Sequence, residues 1–245
     1  MKLRVLGWLA VLALPAWAGG PFDIRIAKDG VVTIAGEKME PKAVQAAIAK
    51  YLSREKLAAA DAGVRIECDG DAAFGTATDV LCAGALAGVY QYELVVGGKT
   101  VFVNLRGDRE PAIFFPDGKD SGALRDKNGN RVFQLYVNVC GAENRDEHDR
   151  QQNGHAKATW AKEVTKGAWG WIMGDRAGEK DLAAGKAEEL AKAVAENAKD
   201  PGEEVDRVDV ILRIDPNVRC APVHALLRAL AAEGFVEPEF EVVAR

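Results

Sequence analysis

Few residues in this chain are equipped for chemistry. Its 245 residues include three histidines, His148, His155 and His224, and four cysteines, Cys68, Cys82, Cys140 and Cys220, while serine occurs only at Ser53 and Ser121. His148 and His155 lie among Asp146, Glu147 and Asp149, imidazoles and carboxylates of the kind that hold metals, but their spacing matches no zinc or calcium pattern. His224 follows Cys220 by four residues. A Cys–His nucleophile needs a thiolate and an oriented base, and a capping or surface histidine is the simpler reading. Glu67 and Asp69 alternate about Cys68, so both carboxylates share a strand face. Such a pair can do acid–base work, but with Cys68 turned to the core it reads as solvated surface. The chain contains no G-x-S-x-G, P-loop, H-E-x-x-H or dinucleotide fingerprint. These observations assign no catalytic, cofactor-binding or metal residue and point away from an enzyme. A metal-dependent enzyme using His148 and His155 is the lesser alternative.

The cysteines depend on compartment. Lys2 and Arg4 precede an uncharged apolar run, Val5 to Leu14, and Pro15-Ala16-Trp17-Ala18 supplies a small-residue cleavage site before Gly19-Gly20. This is the pattern of a secretory signal removed after Ala18, and it places the product in a periplasm or outside the cell. The alternative is an uncleaved inner-membrane anchor, for which the run is short of the roughly 20 residues a spanning helix needs. Loss of Lys2 and Arg4 takes the net charge from −5 to −7, which excludes a generic nucleic-acid binder with a basic footprint. Exported chains keep disulfides, so all four cysteines are candidates. No C-x-x-C occurs. Pairing within each half is preferred, and a loop of about fifteen residues closed by Cys68 and Cys82 would contribute roughly 3 kcal/mol. Buried thiols acting as small hydrophobes are the alternative.

The elements that must position these residues fall into two similar halves. Phe22 to Ile26 alternates apolar and charged residues, a strand signal. Asp29-Gly30 is a turn, and Val31 to Ile34 is a second strand closed by Gly36. Pro41 opens a helix running to about Leu57. Val64, Ile66 and Cys68 alternate on a strand, Thr76 to Ala87 is helical with Gly88 as its stop, and Tyr90 to Val96 pairs with Val101 to Leu105 across Gly97-Gly98. After residue 130 the order returns: a strand through Phe133, Leu135, Val137 and Val139, a second about Trp171-Ile172-Met173, a helix from Asp181 to Ala198, a strand from Val208 to Ile214, a helix from Pro222 to Ala232, and a strand from Phe240 to Val243. At an offset of 146, Asp69 falls on Asp215, Leu81 on Leu227, Gly88 on Gly234 and Glu93 on Glu239. Each of the two aspartates sits where a strand meets a turn before a helix, placed to accept backbone N–H bonds as an Asx turn does. The expected fold is α+β, two tandem two-layer sandwiches, each a mixed sheet with two helices. The units are 19–106 and 131–245, with a linker over 107–130 that contains the apolar island Ala112 to Phe115, room for one extra strand, and the Asn128-Gly129 hairpin signal. A polar insertion over 142–170 contains Trp160, with Trp169 and Trp171 at and just beyond its end. These three indoles are amphipathic and form a possible contact surface.

The motifs Lys28-Asp29-Gly30-Val31-Val32-Thr33-Ile34-Ala35-Gly36, Val64-Arg65-Ile66-Glu67-Cys68-Asp69 with Phe74-Gly75, and Val210-Ile211-Leu212-Arg213-Ile214-Asp215-Pro216 together resemble the periplasmic domain of the ExbD/TolR family of biopolymer-transport proteins. The resemblance covers most of 22–96 and 131–243. It departs from the family where Cys220-Ala221 replace the aromatic-Gly pair. It also lacks the aspartate-bearing transmembrane helix, the usual mark of a proton path. The resemblance implies a binding or scaffolding role against envelope proteins or peptidoglycan, without proton coupling, and an internal pseudo-dimer. An exported α+β protein of unrelated ligand is the other reading.

Overall fold

The computed structural model describes residues 20–105, 113–114, 124–125, 130–141, 164–173, 178–199, 206–235 and 239–241. The leader, His148, His155, Trp160 and most of the linker and insertion lie outside them.

In the first half, β1 (Phe22–Ile26), β2 (Val32–Ile34), β3 (Glu37–Met39), β4 (Gly63–Cys68), β5 (Gln91–Val96) and β6 (Lys99–Asn104) form one sheet in the order β3-β2-β1-β4-β5-β6. β1, β4 and β5 are parallel, and the other pairings are antiparallel. Helices α1 (Pro41–Glu55) and α2 (Phe74–Leu86) supply the crossovers. Strand alternation sorts the side chains: Ile24, Ile66 and Leu94 stand in register and are fully buried, while Arg25, Arg65 and Glu67 face water. Val44, Ile48 and Leu52, one turn apart, are the buried stripe of α1.

In the second half the order is β11 (Lys180–Asp181), β10 (Trp169–Ile172), β9 (Arg131–Cys140), β12 (Arg207–Ile214), β13 (Glu239–Glu241), with β9, β12 and β13 parallel. Helices α3 (Ala187–Lys199) and α4 (Cys220–Ala232) complete it. Val137, Leu212 and Phe240 now share the register of Ile24, Ile66 and Leu94. The fold is therefore α+β, with two mixed sheets and four helices among the described residues.

Three elements differ from the sequence reading. β2 ends at Ile34 as read, but Ala35 (φ 52°) and Gly36 (φ 86°) form a tight turn into a further strand, β3, that the sequence reading lacks. The turn requires positive φ at two positions, and an alanine at the first conceals it. The helix expected from Asp181 begins at Ala187. Asp181 instead ends β11, its carboxylate accepts the Ala184 N–H, and Gly185 at φ 84° breaks the run. Finally, the linker, read with room for one strand, contributes two to the second sheet: β7 (Ile113–Phe114) pairs with β8 (Leu124–Arg125), and β8 pairs antiparallel with β9 on either side of the Asn128-Gly129 hairpin signal.

Candidate functional site

The motif residues converge where the two halves meet. Asp69 and Asp215 each follow the central strand of their sheet. Their backbone N–H groups donate to Ile26 and Val139 carbonyls at 2.9 and 2.8 Å. Each carboxylate accepts the N–H two residues on, Asp71 and Asn217, both at 2.8 Å. This is the Asx turn that an aspartate at a strand end favours. Asp29 does the same in the β1–β2 turn, accepting the Val31 N–H at 3.2 Å beside Gly30 at φ 80°.

The turns aim the first residues of α2 and α4 at each other. A helix leaves its first N–H groups without intrahelical acceptors, and neither Ala73 nor Arg219 caps with its side chain. The opposite half supplies the acceptors. Phe74 N–H donates to the Val218 carbonyl and Cys220 N–H to that of Ala72, both at 2.8 Å. Gly75 N–H reaches Pro216 at 2.7 Å, and Ala221 N–H reaches Gly70 at 3.0 Å. Ala73 and Arg219 form the antiparallel bridge at the centre. Each bond has a mate displaced by 146 at both ends, so the contact is isologous within one chain. The halves cap each other's helices.

Side chains reinforce the contact asymmetrically. Asp71 of the first half holds Arg219 of the second at 2.8 Å and Lys28 at 2.9 Å. The hydrogen bond from Lys28 and the charge of Arg219 hold its carboxyl below the usual range. Asp71 and Arg219 carried no sequence signal beyond flanking the two motifs. His224, expected as a capping or surface group, is instead buried. It reaches from α4 to the Leu94 carbonyl of β5 at 3.2 Å, and α4 packs on β5 and β6. Burial lowers its pKa, the hydrogen bond to Leu94 opposes this, and Arg228 adds to the lowering.

The cysteine sulfurs do not meet within halves. Cys68 Sγ lies 2.8 Å from Cys220 Sγ, between the halves, with both residues buried. Cys82 is half-buried on α2, where burial, then Asp79, raises its thiol. Cys140 is buried at the end of β9 opposite Trp169.

Comparison with protein-family models, curated proteins and solved structures finds no match.

Two surfaces remain. The outer face of the first sheet is charged: Arg25 pairs with Glu67 at 3.2 Å and Arg65 with Glu93 at 3.9 Å, exposed pairs that each contribute little. Glu67 is thus part of an ion-pair ladder, and Asp69 fixes a turn. The outer face of the second sheet is aromatic. Trp169 and Trp171 alternate with inward Gly170 and Ile172, and both indoles are half-buried. Trp171 is in register with Asn138 on β9 and Arg213 next to it on β12, with the Arg213 guanidinium 4.1 Å from the centre of the Tyr136 ring. On the same face Asn138, Cys140, Asp209 and Ile211 are buried, and the two indoles, Tyr136 and Arg213 are partly exposed. Among the described residues no group of three or more His, Cys, Asp or Glu could hold a metal ion, and no helix is long and apolar enough to cross a membrane.

Proposed function

We propose that this protein is an exported, non-enzymatic binding module of ExbD/TolR-like character, its leader removed after Ala18. In this reading the tandem halves form internally the dimer that single-domain relatives would form between chains. It contacts an envelope component, a protein or peptidoglycan, without coupling to a proton gradient. The isologous contact between the strand–helix turns of the two halves carries the reading. The motif residues Asp69, Phe74, Gly75, Asp215 and Pro216 stand at that contact, in its hydrogen bonds and in the turns that lead into it. Trp169 and Trp171 supply the contact face.

The test is sedimentation of the chain from residue 19 with purified peptidoglycan, run beside a pull-down from envelope extract. Retention in either assay that is lost in Trp169→Ala/Trp171→Ala, with the far-UV spectrum preserved, supports the reading. Absence of retention in both assays overturns it.

A further inference from the structure

We propose that Cys68 and Cys220 are joined by a disulfide in the exported protein, a covalent bond between the two halves at the centre of their contact. A 2.8 Å sulfur separation leaves less than one ångström to the covalent length of about 2.0 Å. The backbones that carry the sulfurs are pinned on both sides. Asp69 N–H is held by Ile26, Cys220 N–H by Ala72 and Ala221 N–H by Gly70, so the chains cannot drift apart without breaking the interlock. The approach is close enough that a Cβ added to Gly70 would meet Ala221 Cβ at 3.2 Å. Cys68 and Cys220 also belong to the same continuous apolar cluster, and neither Cys82 nor Cys140 does. The positions equivalent by the offset of 146 are Ile214 and Phe74, so the bond stands on one side of the pseudo-twofold only.

The reaction is thiol–disulfide exchange with an oxidised donor of the exported compartment, a small-molecule or protein disulfide. The thiolate of one cysteine attacks a donor sulfur, forming a mixed disulfide and releasing one donor thiol. The second cysteine then displaces the other donor thiol as the Cys68–Cys220 bond forms. Two cysteine thiols are oxidised, one donor disulfide is reduced, and two protons leave the cysteines for the donor thiols. The contact with Cys68, then burial, pushes the Cys220 thiol up. Exchange therefore belongs to folding, before the halves close, and burial afterwards shields the bond. It spans 152 residues of chain, and long loops gain most from closure.

The experiment is peptide mapping of the purified exported chain, reduced and denatured, refolded in oxidised glutathione and then alkylated under denaturing, non-reducing conditions. The expected product is a linked pair of peptides carrying Cys68 and Cys220, two hydrogens lighter than their sum, with Cys82 and Cys140 alkylated. A Cys68–Cys82 or Cys140–Cys220 link, or four alkylated cysteines, overturns the proposal. As a second measurement, reductant should lower the denaturation midpoint of the wild type and of Cys82→Ala but leave Cys68→Ala unmoved. The reverse pattern also overturns it. The mapping requires no variant to fold, and neither measurement depends on whether the protein binds an envelope component.

Discussion

At the scale of single residues, the contact between halves should be readable as pH dependence. Asp71 has a lowered pKa in the folded chain, so its contribution is complete above the ordinary value of 3.8 and is lost as pH falls through the lowered value. Asp71→Asn should therefore lower the denaturation midpoint at neutral pH, with the gap closing in acid and shrinking with salt, because the group is exposed. His224 also has a lowered folded pKa, and its neutral form is the one that fits. Stability is full above 6.5 and declines as pH drops from there through the lowered value. His224→Gln, which keeps a donor for Leu94, should flatten that part of the midpoint-versus-pH curve. A slope unchanged from wild type would show that His224 does not set it. The Asx turns of Asp69 and Asp215 were legible in the sequence because an aspartate's bonds to the next N–H groups are local. The burial of His224 was not, because its partner stands 130 residues away in the other half.

At the scale of elements, the central strands and the helices after them were legible. In β4 alternation agrees with burial, Val64, Ile66 and Cys68 facing inward, whereas in β12 Asp209 and Ile211 are buried along with Val210 and Leu212. The misreadings came where one residue type masked a turn, as Ala35 did, or where an alanine-rich run extended a helix through Gly185. Close packing of a helix on its sheet gives a further test. Gly84 on α2 lies beneath the phenol of Tyr92, whose hydroxyl reaches the Val89 carbonyl at 2.6 Å and that of Leu81 at 3.0 Å. Gly84→Ala gains up to about 1 kcal/mol of helix propensity but drives a methyl into that ring, at a cost of about 1–3 kcal/mol. The expected outcome in urea denaturation is net destabilisation. Tyr92→Phe alone should cost about 1 kcal/mol. The double variant should lose less than the sum, since removing the hydroxyl makes room for the methyl.

At the scale of the whole molecule, one buried cluster runs from Ile24 and Ile66 through Phe74, Cys220 and Leu226 to Val137 and Leu212. The halves should therefore unfold together. After the leader, every tryptophan is in the second half, at Trp160, Trp169 and Trp171. Tryptophan fluorescence thus reports that half, and far-UV circular dichroism reports both. The two denaturation curves of the chain lacking residues 1–18 should coincide, and separated midpoints would show independent units. The architecture of two α+β units was visible in the sequence as a shared offset. The aromatic character of the second sheet's outer face was visible only in Trp169 and Trp171, because Tyr136 and Arg213 join it through strand register. The reciprocal capping of α2 and α4 has a further consequence. Two separate chains making this contact would part on dilution, but here the partners share one polypeptide. Tethering holds each at an effective concentration that can reach the millimolar range, so the paired state does not depend on how little of the protein a cell makes.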